Sequence, residues 1–209
     1  MAKIHWFIGD CINMCGRYYI TEENKNELGK LVHDLERKIN RTKFAGDIVP
    51  SAKAPILFAD EKELSATMSK WGFPGIQGKN LIINARAETA RSKSLFSNCL
   101  TSGRCVIPAA GFYEWDKSRN KFTFTGKQSN ILYLAGIYRQ REQEDQFVIL
   151  TTQANASMER VHPRMPLILN QNQMEAWLMK EEQTDSLLKT VPEELQSRAD
   201  MEQMRLDFI

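Results

Sequence analysis

Histidine is scarce in this 209-residue chain, which has three, and its four cysteines, Cys11, Cys15, Cys99 and Cys105, never form a Cys-x-x-Cys pair. Zinc-ligand spacing is therefore missing, and neither a metal nor any other cofactor is expected. No apolar run approaches the ~20 residues that a membrane-spanning helix needs, so no membrane partner is expected. Charge of one sign is not in excess either. Lys and Arg number 28 against 26 Asp and Glu, a net charge of +2. That balance permits a basic groove but gives no argument for nucleic acid from total charge. Internal repeats, low-complexity tracts and a linker that would split the chain are also missing. One domain with a sizeable core follows, at an ordinary soluble composition of 42% apolar and 26% charged residues. Without a secretory signal, reduced thiols in the cytoplasm are the default, and a monomer is expected.

The opening stretch MAKIHWFIGDCIN has one lysine and a short apolar run, Ile4 to Ile8, cut off by Gly9 and Asp10. It is neither a signal peptide nor an anchor. It reads as an ordinary first strand, a start assigned too early, or a removable leader. We expect residues 1–13 to lie outside the mature protein and residues 14–209 to form one domain.

Leu28, Leu31, Val32, Leu35 and Ile39 follow helical spacing, which predicts a helix over Glu22 to Ile39 with Thr21 as N-cap. A strand is expected at Ile56 to Ala59. Short runs rich in β-branched and aromatic residues come next: SATMSKWGF, NLIINAR, RCVIP, GFYEW, KFTFT, ILYLAGIYR and QFVILTT. This density predicts an α+β fold around a curved, mainly antiparallel sheet or barrel. The tail reads as helical at Gln173 to Met179, at Asp185 to Lys189, and from Pro192 onwards, where proline suits a first turn.

Four motifs could carry chemistry: MCGR at 14–17, NARAET at 84–89, GFYEW at 111–115 and HPRMPLIL at 162–169. Each is weak alone. A lone cysteine is usually a small buried hydrophobe, and Asn84 could simply bond its own backbone in a turn. In GFYEW, Phe112 and Glu114 share one side and Tyr113 and Trp115 the other, but alternation does not say which side is wet.

Together, and in this order, the four motifs resemble the SRAP (SOS-response-associated peptidase) family, also called abasic-site processing proteins. WGFPG at 71–75 and, more loosely, IVPSAKAP at 48–55 fit the same pattern. The resemblance implies the SRAP fold and a role in the DNA damage response. It implies that an abasic site in single-stranded DNA is captured as a covalent thiazolidine crosslink, with lyase and autopeptidase side activities. It implies single-stranded DNA bearing an abasic site as partner, the replication machinery as a second, and a nucleoid-associated place in the cytoplasm. Carried over by position, Cys15 is the nucleophile, Glu114 the proton shuttle, Asn84 the group holding the amine or opened sugar, and His162 the contact to sugar oxygen or phosphate. Arg17 and Arg86 are implied phosphate contacts, Arg164 a weaker one. Trp71 and Phe73 are candidates to stack on bases, with core packing as the alternative.

The chemistry of Cys15 agrees with this resemblance. If translation starts at Met14 and the methionine is removed, Cys15 carries a free amine and a thiol on adjacent carbons. The ring-opened abasic sugar is an aldehyde. The amine gives an imine, the thiol adds to the imine carbon, and a five-membered ring closes. An α-amine with a pKa of about 7.7–8.0 keeps a useful neutral fraction near neutral pH, whereas a lysine near 10.4 does not. While residues 1–14 stay attached, the nitrogen is an amide and the reaction is blocked. Two other readings use the same residues: a thiol peptidase acting on a peptide, and a non-covalent single-strand-binding module.

Overall fold

The computed structural model describes residues 15–32, 35–39, 44–61, 63–75 and 80–200. In chain order, β1 (Arg17–Ile20) leads to helices α1 (Glu22–Leu31) and α2 (Leu35–Lys38), then β2 (Gly46–Ile48), β3 (Lys53–Asp60), β4 (Glu63–Trp71) and β5 (Phe73–Pro74). Next are β6 (Leu81–Ile82), β7 (Asn84–Arg86), α3 (Ala87–Ala90), α4 (Ser94–Ser102), β8 (Arg104–Ala109) and β9 (Gly111–Trp115). The chain continues with β10 (Lys121–Gly126), β11 (Leu132–Arg139), β12 (Gln146–Gln153), β13 (Arg164–Pro166) and β14 (Ile168–Leu169). It finishes with α5 (Gln171–Met179), α6 (Thr184–Leu187) and β15 (Leu195–Asp200).

The larger sheet closes on itself. Strands β12, β4, β3, β8 and β11 are neighbours in that order, and β11 pairs back onto β12. The ring is antiparallel except where β12 runs parallel to β4, and β7 also joins β12 in parallel. This is the expected α+β class with a curved, barrel-like core. Ile56, Leu57, Val106, Ile107, Leu134 and Leu150 are fully buried in it. Each such side chain contributes roughly 1.5–3 kcal/mol by leaving water.

A second sheet of five strands, in the order β15-β10-β9-β1-β2, lies beside the barrel. Its central strand β9 begins at Gly111. A Cβ there would sit 2.4 Å from the Phe124 carbonyl oxygen and 2.8 Å from the Tyr19 hydroxyl. Only glycine lets β9 approach β10 and β1 this closely.

Helix α1 starts as expected. The Thr21 hydroxyl accepts the Asn24 N–H at 3.3 Å, and Asn24 Oδ1 accepts the Thr21 N–H at 3.0 Å. The single helix expected to Ile39 is not continuous. Val32 is extended at φ −113°, ψ 113°, which ends α1, and α2 starts afresh at Leu35. The tail is corrected too. After Pro192 the chain forms β15 rather than a helix, because its backbone completes the free edge of β10 from Lys121↔Asp200 to Gly126↔Leu195. Helix α3, which begins inside NARAET, and helix α4, which follows it, were not expected.

Candidate active site

The pairing of β1 with β9 places the first and third motifs together. Arg17 lies opposite Tyr113 and Tyr18 opposite Phe112. Strand alternation then sends Tyr18, Ile20, Phe112 and Glu114 to the buried face. Arg17, Tyr19 and Tyr113 are partly exposed, and Trp115 is 38% exposed. The wet side of GFYEW is therefore the Tyr113–Trp115 side, and Glu114 points inward.

Cys15 sits just ahead of β1 and is fully buried. Its backbone nitrogen donates to Glu114 Oε2 at 2.8 Å. Its φ is +47°, the left-handed region that non-glycine residues enter at a cost of roughly 1–2 kcal/mol. Burial pushes the Glu114 carboxyl up to about 7, against the opposing effect of bonds from the Cys15 and Trp115 backbones. Burial, and then the neighbouring Glu114 charge, push the Cys15 thiol well above its ordinary range. A carboxyl poised near neutrality beside a nitrogen and a sulfur can both give and take protons.

The second and fourth motifs meet on the barrel. Strand β7 runs beside β12, with Asn84 opposite Ile149 and Arg86 opposite Thr151. Strand β13 pairs with β12, with Arg164 opposite Gln153. Asn84, Arg86, His162 and Arg164 thus gather at one end of β12. Trp71 spans the gap to the Cys15 segment. Its ring lies 5.2 Å from that of Tyr18, and its indole N–H donates to the carbonyl of Ile83, next to Asn84, at 3.0 Å.

His162 is buried. Its Nδ1 accepts the Arg164 backbone N–H at 3.1 Å, and Nε2 meets no hydrogen-bonding partner among the described residues. Burial lowers its pKa, which favours the neutral ring. No hydrogen bond links His162 to Cys15 or Glu114 among the described residues.

The expected DNA-contacting residues separate into two groups. Arg86 is exposed, and Arg17 is half-exposed and makes a 3.7 Å ion pair with Asp47. Both are available to an anion. Arg164 is committed internally. It grips both Glu88 oxygens at 2.6 and 2.9 Å and the Thr151 carbonyl at 2.7 Å, and the hydrogen bond from Arg164 holds the Glu88 carboxyl below its ordinary range. Trp71 and Phe73 are 0% exposed. Trp71 stacks on Phe147 at 6.2 Å, and Phe73 lies under the Arg139 guanidinium at 4.1 Å. Neither ring offers a face to a base, so base stacking by these two residues is corrected to core packing.

Among the described residues no cluster of His, Cys, Asp or Glu could hold a metal ion. No helix among them is long and apolar enough to cross a membrane. Cys105 is buried and Cys99 half-buried, as expected of packing residues, while Cys11 and the expected leader lie outside the described residues. Two polar residues of the site went unnoticed in the sequence. Thr151 ties Ala85 to Arg164, and Tyr18 lines the wall beside Cys15. Strand alternation would put Cys15 and Tyr18, three residues apart, on opposite faces; the left-handed backbone of Cys15, ahead of β1, breaks that pattern and has no signal in the sequence.

The chain is similar to known proteins in sequence and in fold. The profile of the family described as SOS response associated peptidase (SRAP) matches residues 14–206. "Abasic site processing protein YedK" of Escherichia coli (strain K12) is 27% identical over 179 residues, covering 80% of this chain and 81% of that protein. "Abasic site processing protein YoqW" of Bacillus subtilis (strain 168) is 30% identical over 179 residues, covering 79% of this chain and 80% of that one. In fold, the chain is similar to a crystal structure from Bacteroides thetaiotaomicron at a TM-score of 0.73 and 21% identity, covering 88% of this chain and 91% of the other. A phage-related protein from Bordetella bronchiseptica aligns at a TM-score of 0.72 and 20% identity, covering 88% and 93%.

Proposed function

The chain belongs to the SOS response associated peptidase (SRAP) family, and from that premise we propose that it processes abasic sites in DNA, capturing them covalently through Cys15. The observation that carries the reading is the contact between the Cys15 nitrogen and Glu114 at 2.8 Å. The reaction requires that nitrogen as a free amine, so it needs Met14 and the residues ahead of it to be absent, with the single domain beginning at Cys15.

The steps follow from the groups present. The neutral amine attacks C1 of the ring-opened sugar. Glu114, protonated in part near neutral pH, gives its proton to the departing hydroxyl, and water leaves as the imine forms. The thiol then adds to the imine carbon, the C=N pair moves to nitrogen, and the proton from sulfur ends there. A thiazolidine ring results. Holding the aldehyde against two nucleophilic atoms of one residue provides the intramolecular advantage. Asn84 and the neutral His162 supply polar contacts to the opened sugar. Arg86 and Arg17 take the flanking phosphates of a single strand. An imine at C1 also acidifies C2, so elimination of the 3′ phosphate is a side reaction.

One further observation favours a second activity at the same site. Glu114 touches the nitrogen of the Met14–Cys15 peptide bond, and Cys15 is strained about φ. Cleaving that bond abolishes this dihedral and releases the strain, and Glu114 is placed to protonate the departing amine. We therefore propose self-removal of the preceding residues. The Cys15 sulfur adds to the Met14 carbonyl carbon as its proton passes to Glu114. The C–N bond breaks as that proton goes to the departing amine. Water then hydrolyses the thioester, releasing the Met14 carboxylate and restoring the thiol.

Incubation of Cys15-initiated protein with an oligonucleotide holding one abasic site, followed by a heated denaturing gel, tests the main reading. A heat-stable shifted band is expected, lost in Cys15→Ala. A shift on native gels alone would indicate non-covalent binding, and peptide cleavage without a DNA adduct would indicate a peptidase.

A further inference from the structure

Tyr18 is a buried residue of this site, carrying a polar hydroxyl, that the mechanism above does not use. It shares the inward face of the β1–β9 pair with Glu114. Because Tyr18 is opposite Phe112, Glu114 is its diagonal neighbour, at the separation of roughly 7–8 Å typical of such positions. The side chain is 0% exposed. Its hydroxyl meets no hydrogen-bonding partner among the described residues.

That arrangement is costly for a structural residue. A buried hydroxyl left unpaired costs about 1–3 kcal/mol. Phenylalanine would fill nearly the same space without that cost, and the same face of the sheet does use phenylalanine nearby. Phe112 and Phe124 stack there at 5.2 Å. The phenol also senses the sulfur. Burial raises the Tyr18 hydroxyl well above its ordinary range, and the neighbouring Cys15 and Cys105 sulfurs act in the same direction. The groups facing Tyr18 are Glu114 from β9, Cys105 from β8, Ile48 from β2 and Trp71 from β4. Tyr18 is the one phenol in that set, and burial keeps it a donor.

We propose that the Tyr18 hydroxyl is the hydrogen-bond donor that stabilises the Cys15 sulfur as it becomes a thiolate for ring closure. The inference rests on the abasic-site reading given above. The need is physical. Burial and the Glu114 charge both disfavour a thiolate at this position, yet the thiolate is the nucleophile. In the resting structure the two groups are not bonded. Rotation about χ1 gives the Cys15 sulfur three staggered positions, and stabilisation by Tyr18 requires that one of them meet its hydroxyl. The sulfur proton passes to the Glu114 carboxylate, a sulfur lone pair forms the S–C bond, and the C=N pair goes to nitrogen, which recovers the proton from Glu114. Tyr18 keeps its own proton throughout. It acts on the second step and leaves imine formation alone.

The test separates the two steps with Tyr18→Phe in Cys15-initiated protein. Borohydride added to the reaction reduces any imine and reports the first step. Heat-stable adduct formed without borohydride reports the second. The proposal expects the borohydride-trapped conjugate to form at the wild-type rate and the heat-stable adduct to form at least ~10-fold more slowly, because charge-assisted bonds of this kind are worth about 1.5–3 kcal/mol. The thermal midpoint should be unchanged or higher. Equal loss of both products would make Tyr18 a packing residue and overturn the proposal, as would no loss of either. If wild-type protein forms neither product, the abasic-site reading itself fails, a result distinct from both.

Discussion

Glu114 Oε2 accepts the backbone N–H of Cys15 at 2.8 Å, across 99 residues of sequence and one pair of antiparallel strands. The contact makes one carboxyl the partner of the nitrogen on which the proposed reaction depends. Glu114→Gln retains an acceptor for that nitrogen and removes the proton shuttle. Adduct formation should slow by about 10²–10³-fold, within the range of general acid–base catalysis, while the far-UV circular dichroism spectrum stays unchanged. A variant that reacts at the wild-type rate would remove Glu114 from the chemistry.

The same carboxyl makes stability depend on pH. Folding raises the Glu114 pKa from its ordinary 4.5 to about 7. Between those values the folded chain holds a proton that the unfolded chain has released. Stability from this group is therefore complete below pH 4.5 and declines as pH rises to about 7, by on the order of 3 kcal/mol. Urea midpoints measured across that window should show this descending contribution in wild type, and Glu114→Gln should flatten it.

Trp71 is a structural residue in this account. Fully buried, stacked on Phe147 and bonded to the Ile83 carbonyl, it links the Cys15 segment to the Asn84 strand. Trp71→Ala should cost about 3–5 kcal/mol in urea unfolding, the usual range for a buried tryptophan. A stable Trp71→Ala protein with weakened DNA binding would instead restore the stacking role.

The arginines should divide in the same way. Arg86→Ala should leave stability nearly unchanged and lower the slope of log affinity against log salt by about 0.7, one phosphate contact to a single strand. Arg164→Ala should behave oppositely. Losing Arg164 strands the buried Thr151 acceptor and leaves the exposed Glu88 carboxylate without its partner, so the thermal midpoint should drop while the salt slope stays put. Equal salt slopes for wild type and Arg86→Ala would exclude Arg86 from the phosphate path.

The sequence carried much of this arrangement, because its local signals agreed with the fold. GFYEW forms the strand that it resembles, and Thr21 caps its helix. What alternation left open was which face of GFYEW is wet. The partner strand decides that, since Tyr18 opposite Phe112 fixes the buried side. The tail misled for a related reason. Leu195 to Asp200 has a single buried apolar residue and no strand pattern of its own, so its extended form comes from the open edge of β10. In α4 the pair Phe96 and Leu100, both buried at an i, i+4 spacing, was a helical signal hidden among serines and threonines. Trp71 and Phe73 were ambiguous in principle, because an aromatic residue near a reactive motif serves a core or a ligand equally well until its neighbours are known.

Intact mass spectrometry tests the central claim most directly. Cys15-initiated protein, reacted with an oligonucleotide containing one abasic site and then heated, should gain the mass of the ring-opened strand less one water. That product should be absent from Cys15→Ala and from Cys15-initiated protein whose α-amine has been acetylated. The same adduct formed equally well by either of those controls would contradict the account.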